Sequence, residues 1–161
     1  MSMQEKNFLD LDSACQIMPA NWRDLGELRR LERECFPLDA WPLLDLIGVL
    51  SLSKVVRLKA VIREQMIGFV AGEKRSARDM AWIATICVLP GYQRRGIASR
   101  LLDACEERLD VDRIRLSVRA ENTAAIRLYQ GFGYHRVGSW ASYYQDGADA
   151  IVFEKNSRSA L

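Results

Sequence analysis

The run from Met80 to Val88, MAWIATICV, is apolar at odd and even positions alike and stops at Leu89-Pro90-Gly91. A strand with one wet face alternates in polarity, so a strand apolar throughout must be covered on both sides. The next two segments of the chain narrow the architecture further. Gly96 to Leu109 gathers Ile97, Leu101, Cys105 and Leu109 on one stripe and turns Arg100, Asp103, Glu107 and Arg108 away, the pattern of an amphipathic helix. Arg113 to Arg119 then alternates Ile114, Leu116 and Val118 with Arg115, Ser117 and Arg119, a strand with two unlike faces. Strand, crossover helix and strand together imply a parallel pair. The expected fold class is mixed α/β, with the Met80 strand near the centre of the sheet.

The remaining elements can be placed around this unit. Cys15 to Met18 reads as a short strand stopped by Pro19, and Asp24 as the cap of a helix carrying Leu25, Leu28, Leu31 and Cys35 that ends at Phe36-Pro37. Trp41-Pro42 opens a second helix to about Ser51, and Val55–Ile62 with Met66–Glu73 forms a hairpin across Arg63-Glu64-Gln65. Asn122 caps a helix that reaches Tyr129 and is closed by Gly131. Tyr134–Trp140 and Asp149–Glu154 are the last strands. A chain of 161 residues fits a single domain, 1–161, with residues 1–13 and 156–161 expected to be flexible ends.

Composition removes several functions. At 49% hydrophobic and 27% charged, the chain resembles soluble globular proteins, and a net charge of +2 gives no footprint for nucleic acid, so any anion site must be local. Cys15, Cys35, Cys87 and Cys105 form no CxxC pair and His135 is the single histidine, so no metal site is expected. Cys35, Cys87 and Cys105 stand among apolar residues and are expected to pack as small hydrophobes. MSMQEKNFLDLDS lacks the apolar run of a signal peptide, and no segment reaches about 18 apolar residues. A cytoplasmic protein with no membrane partner is expected, either monomer or homodimer.

Between the central strand and the amphipathic helix stands Gln93-Arg94-Arg95-Gly96-Ile97-Ala98. A helix N-terminus has unpaired backbone N–H groups and the positive end of the helix dipole, so a turn placed there can hold a diphosphate. Gly96 permits close approach, the small Ala98 keeps the first turn open, and Arg94 and Arg95 add charge. The stretch resembles the Q/R-x-x-G-x-G/A coenzyme A motif of the GNAT acetyltransferases. A second stretch, from Leu116-Ser117-Val118-Arg119 through Asn122-Thr123-Ala124-Ala125-Ile126-Arg127-Leu128-Tyr129 to Gly131-Phe132, is similar to that family's strand, N-x-x-A-x-x-L-Y and G-F/Y pattern. The two cover roughly residues 82 to 140.

The resemblance implies a GNAT fold, a central twisted mixed sheet of about seven strands flanked by about four helices, with a cofactor-binding core at about 80–140. It implies acetyl-CoA as cofactor. Gln93, Arg94, Arg95, Gly96, Ile97, Ala98 and Ser99 would hold the pyrophosphate, and Ile86, Cys87 and Val88 would pair with the pantetheine arm. The Val88 N–H would face the thioester carbonyl, with Asn122, Ala125 and Tyr129 completing the arm's site. Tyr129 suits a general acid, because a phenol with a reference pKa of about 10 is protonated at neutral pH and can give its proton to a thiolate.

Cys35-Phe36-Pro37 before Trp41-Pro42, Tyr143-Tyr144 and Asp149-Ala150 resemble the RimI-like branch, the ribosomal-protein alanine N-acetyltransferases. That implies an acceptor α-amine at a peptide or protein N-terminus, lined by Phe36, Trp41, Tyr143 and Tyr144. A small-molecule amine is the alternative acceptor. RimI-like enzymes carry a glutamate in an L-E-V-R strand where this chain has Ser117, and that departure also motivates a third reading, a catalytically silent acyl-CoA-binding module. Glu121 lies beyond the strand and reads as a solvated carboxylate, His135 after a turn reads as structural, and Tyr143, Tyr144 or ordered water are left as candidates for the base. Without a strong base an α-amine is favoured over lysine: roughly 15% is neutral at pH 7 against roughly 0.04%, a gap of about 3.5 kcal/mol.

Overall fold

The computed structural model describes residues 14–75 and 79–157. Thirteen elements succeed one another along the chain: β1 Gln16–Pro19, a 3-10 turn Trp22–Asp24, α1 Leu25–Cys35, α2 Leu43–Ser51, β2 Val55–Ile62, β3 Gln65–Arg75, β4 Met80–Val88, a 3-10 turn Pro90–Tyr92, α3 Ile97–Leu109, β5 Arg113–Arg119, α4 Thr123–Gly131, β6 His135–Trp140 and β7 Ala150–Asn156. The seven strands form one sheet in the order β1-β2-β3-β4-β5-β7-β6. Among the described residues β4 and β5 are the one parallel pair. The mixed α/β architecture and the central place of the Met80 strand are as expected.

Helices cover the sheet because its central strands are apolar on both faces. On one face α3 lies so close to β3 that a β-carbon at Gly72 would stand 2.8 Å from Leu109 Cδ1 and 3.1 Å from Cys105 Sγ. Glycine there is what lets the helix dock. Ile97, Leu101, Leu102 and Leu109 are buried along the contact, each contributing about 1.5–3 kcal/mol by area removed from water. The opposite face carries α1 and α2, whose Leu28, Leu31 and Leu46 are buried in the same core as Phe69 and Ala71.

Local chemistry moved several boundaries. Asp24 does not cap α1: its carboxylate accepts from the Asn21 N–H at 2.8 Å and from Lys59 Nζ at 2.6 Å, closing a capping box opened by Asn21. Gly131 lies inside α4, and the left-handed residue after the helix is Gly133, with φ +88°. Gln65 belongs to β3 and pairs with Ile62, so the hairpin turns on Arg63 and Glu64 alone, both at positive φ (48° and 66°), as a tight two-residue turn requires. Asn156 is no part of a polar tail: β7 runs through it, and the Ser157 N–H donates to Asp112 O at 2.7 Å. Residues 1–13 and 158–161, expected to be flexible, lie outside the described residues.

The feature that positions the site is a parting of strands. β4 pairs with β5 only over Met80–Trp82 against Arg113–Arg115. On its other edge Ala71 pairs with Thr85 and Gly72 with Ile83, so Ala84 is an extra residue in β4. Such a bulge bends a strand, and beyond it β4 and β5 diverge.

Candidate active site

Backbone alternation decides what faces the parting. The Leu89 N–H donates to Ile67 O at 2.8 Å, so the register carries the polar groups of Leu89, Cys87 and Thr85 toward β3. Ile86 and Val88 therefore turn theirs toward the gap. Gln93 Nε2 reaches back and donates to Val88 O at 3.0 Å, fastening the turn to the strand end.

The turn delivers the N-terminus of α3 to the same place. Gly96 is its cap, at φ +73°, and beyond its own chain neighbours no atom of the described residues lies within 4 Å of a β-carbon built there. The need for glycine is thus one of backbone conformation together with open space on that side. The first helical bond runs from the Arg100 N–H to Gly96 O at 3.0 Å, which leaves the N–H groups of Ile97, Ala98 and Ser99 without helical partners. Such a cradle, with room and positive potential, fits a diphosphate.

Two clefts of about 360 Å³ each meet at the parting. One is lined by Cys87, Val88, Gln93, Arg94, Gly96, Ile97, Ala98 and Ser99, the other by Asp39, Trp41, Thr85, Ser117, Arg119 and Tyr144. Cys35, Phe36, Ile86, Asn122, Ala125 and Tyr129 line both. Most residues singled out in the sequence thus converge. Two do not. Arg95 folds back on its own loop, with Nη2 3.4 Å from Gly91 O and the guanidinium 5.6 Å from the Tyr92 ring centre. Tyr143 is 54% exposed and packs on Trp140 outside the clefts.

Asn122 caps α4 through its Oδ1, which accepts from the Ala125 N–H at 3.1 Å. That fixes the helix carrying Tyr129, which is 5% exposed and set edge-on to Tyr134 at 5.9 Å. Burial first, then the facing Tyr144 and Cys87, push the Tyr129 hydroxyl above the ordinary phenol value. The free-phenol reference does not carry over, and Tyr129 holds its proton over a wider pH range than the sequence suggests.

The second cleft is held by Arg119. Its guanidinium reaches Asp39 Oδ2 at 2.6 Å and Asp146 Oδ2 at 2.9 Å, and lies 4.2 Å from the Tyr144 ring centre. It therefore ties the loop of residues 36–42 to the loop of residues 141–149. Cys35 packs against the core as expected, but it is only half-buried and lines both clefts. The neighbouring Cys87 thiol lowers the Cys35 pKa, and Cys35 with burial raises that of Cys87.

One buried carboxylate beside the second cleft belongs to no motif in the sequence. Glu32, 1% exposed on α1, accepts at Oε1 from the Thr85 hydroxyl at 3.3 Å. Burial raises its pKa, against the pull of Thr85 and the Trp41 amide. The signal was there: a carboxylate at the i+4 position from Leu28, within the apolar stripe of an amphipathic helix.

Residues 20–134 match the Acetyltransferase (GNAT) family. The chain belongs to this family. It is 44% identical over 99 residues to the N-alpha-acetyltransferase RimI of Mycobacterium tuberculosis, a match covering 57% of this chain and 60% of that protein. It is 29% identical over 146 residues to the N-alpha-acetyltransferase 50 of Danio rerio, covering 84% of each. The crystal structure of the ribosomal-protein-S18-alanine N-acetyltransferase from Escherichia coli superposes with a TM-score of 0.82 at 25% identity, over 91% of this chain and 96% of that one.

Proposed function

We propose that this chain transfers an acetyl group from acetyl-CoA to the α-amine of a peptide or protein N-terminus. The observation that carries the reading is the parting of β4 from β5, which joins an anion cradle to a second, side-chain-lined cleft. Similarity to N-alpha-acetyltransferases supports the α-amine as acceptor. The four free cysteines agree with a reducing, cytoplasmic setting. Among the described residues no helix is long and apolar enough to cross a membrane.

Bound acetyl-CoA supplies an acetyl group activated as a thioester. Gly96, Ile97, Ala98 and Ser99 would hold its diphosphate with backbone N–H groups, and Arg94 would add charge. The Val88 N–H acts as oxyanion donor; being fixed in a strand, it needs no reorganisation as charge develops. Tyr129 Oη holds the proton that the departing sulfur takes up. Phe36, Trp41 and Tyr144 line the acceptor's approach.

The test is incubation with acetyl-CoA and a mixed library of peptides and small amines, with products identified by mass. Peptides acetylated on the α-amine are expected. Acetylation confined to small amines would overturn the acceptor assignment, and no acetylated product at all would overturn the activity.

A further inference from the structure

Ser117 leaves β5 without a carboxylate, yet the opposite wall of the acceptor cleft has one behind it. Glu32 is almost fully buried, and a carboxylate out of water needs hydrogen bonds or a cation to remain charged. Its Oε1 accepts from the Thr85 hydroxyl, while Oε2 is buried and makes no well-formed hydrogen bond among the described residues, the Trp41 amide alone adding a pull toward the charged form. None of the ion pairs formed by the described residues includes it. The titratable groups facing it are the thiols of Cys35 on its own helix and Cys87 on β4; the buried residues of α2 are apolar. Thr85 lines the acceptor cleft next to Ile86, where the two clefts join.

We propose that Thr85 and Glu32 form a proton relay that deprotonates the acceptor amine. The ammonium proton of the acceptor passes to Thr85 Oγ1 as the Thr85 hydroxyl proton passes to Glu32 Oε1, and the neutral amine so formed bonds to the acetyl carbon. Thr85 is the catalytic residue and Glu32 the positioning residue behind it. The relay rests on the acetyl-transfer reading of the site. Burial works in its favour, because a carboxyl raised from its ordinary value is a stronger base toward an amine.

The decisive comparison is the pH profile of kcat with a free-α-amine peptide for the wild type, Glu32→Gln, Thr85→Val and Thr85→Ser. The wild type should show an inflection that stays put when the acceptor's own pKa is changed. Glu32→Gln and Thr85→Val should lose it, falling about 10²-fold at pH 7 and recovering toward the wild-type rate as pH passes the acceptor pKa. Thr85→Ser, which keeps the hydroxyl, should keep the inflection. Profiles for both isosteric variants parallel to the wild type, lowered equally at every pH, would mean a structural role and overturn the relay. If Glu32→Gln does not fold, Thr85→Val alone decides. An infrared titration of the protein without acetyl-CoA gives an arm independent of turnover. A buried carboxyl band absent in Glu32→Gln should shift in Thr85→Val, and a band indifferent to Thr85 would sink the proposal even if the wild type acetylated another class of amine.

Discussion

The two clefts that meet at Tyr129 are built from different materials. The first is made largely of backbone: strand-end amides of Ile86 and Val88, and the unpaired N–H groups that open α3. The second is made of side chains from α1, β4, β5 and two loops, with partners as far apart as Arg119 and Asp39, separated by 80 residues. Backbone sites arise from a local strand–turn–helix and tolerate many side chains. Side-chain sites depend on contacts that only the assembled fold creates.

Perturbing the meeting point should have the largest effect. Tyr129→Phe removes only a hydroxyl, and kcat should fall about 10²- to 10⁴-fold while the thermal shift produced by acetyl-CoA is kept. Activity within about twofold of wild type, with chemistry limiting, would remove Tyr129 as the acid. The backbone cleft should be the next most sensitive. Gly96→Trp sets a bulky residue at positive φ, facing the space where the diphosphate would lie, and should abolish that thermal shift. For an intact site the shift reflects about 2.7 kcal/mol at a hundredfold excess over Kd.

The side-chain cleft should respond more mildly and through the acceptor alone. Arg119→Leu unties the loops of residues 36–42 and 141–149, so KM for the peptide should rise about tenfold with the acetyl-CoA shift unchanged. A changed cofactor shift instead would mean that the two clefts are not separable. The smallest effect is on stability. A carboxyl whose folded pKa is raised supports folding fully below its unfolded value and loses that support as pH climbs through the folded value. The wild type should therefore lose stability as pH rises above about 4.5 by the Glu32 contribution, and Glu32→Gln should not; urea midpoints across that range would show it.

The same contrast explains what could be read from the letters alone. Met80–Val88 and Arg113–Arg119 have the expected bounds because hydrophobic period fixes a strand locally. The cradle was legible because a proline–glycine stop, a basic turn and an amphipathic helix are contiguous. Arg95 shows the limit: its place in the motif points to the cradle, but its carbonyl and aromatic partners hold it in the turn. Glu32 and Thr85 lie 53 residues apart and carry no shared motif. Tyr143 and Tyr144 are neighbours in sequence, yet only Tyr144 lines the cleft, because Arg119 draws it there.

A crystal structure with acetyl-CoA would show whether the parting of β4 from β5 is where the acetyl group is held for transfer. The diphosphate is expected against the N–H groups of residues 96–99, the thioester carbonyl within hydrogen-bond distance of the Val88 N–H, and the Tyr129 hydroxyl beside the sulfur. A thioester bound elsewhere, with the Val88 amide and Tyr129 facing only solvent or protein, would contradict this placement.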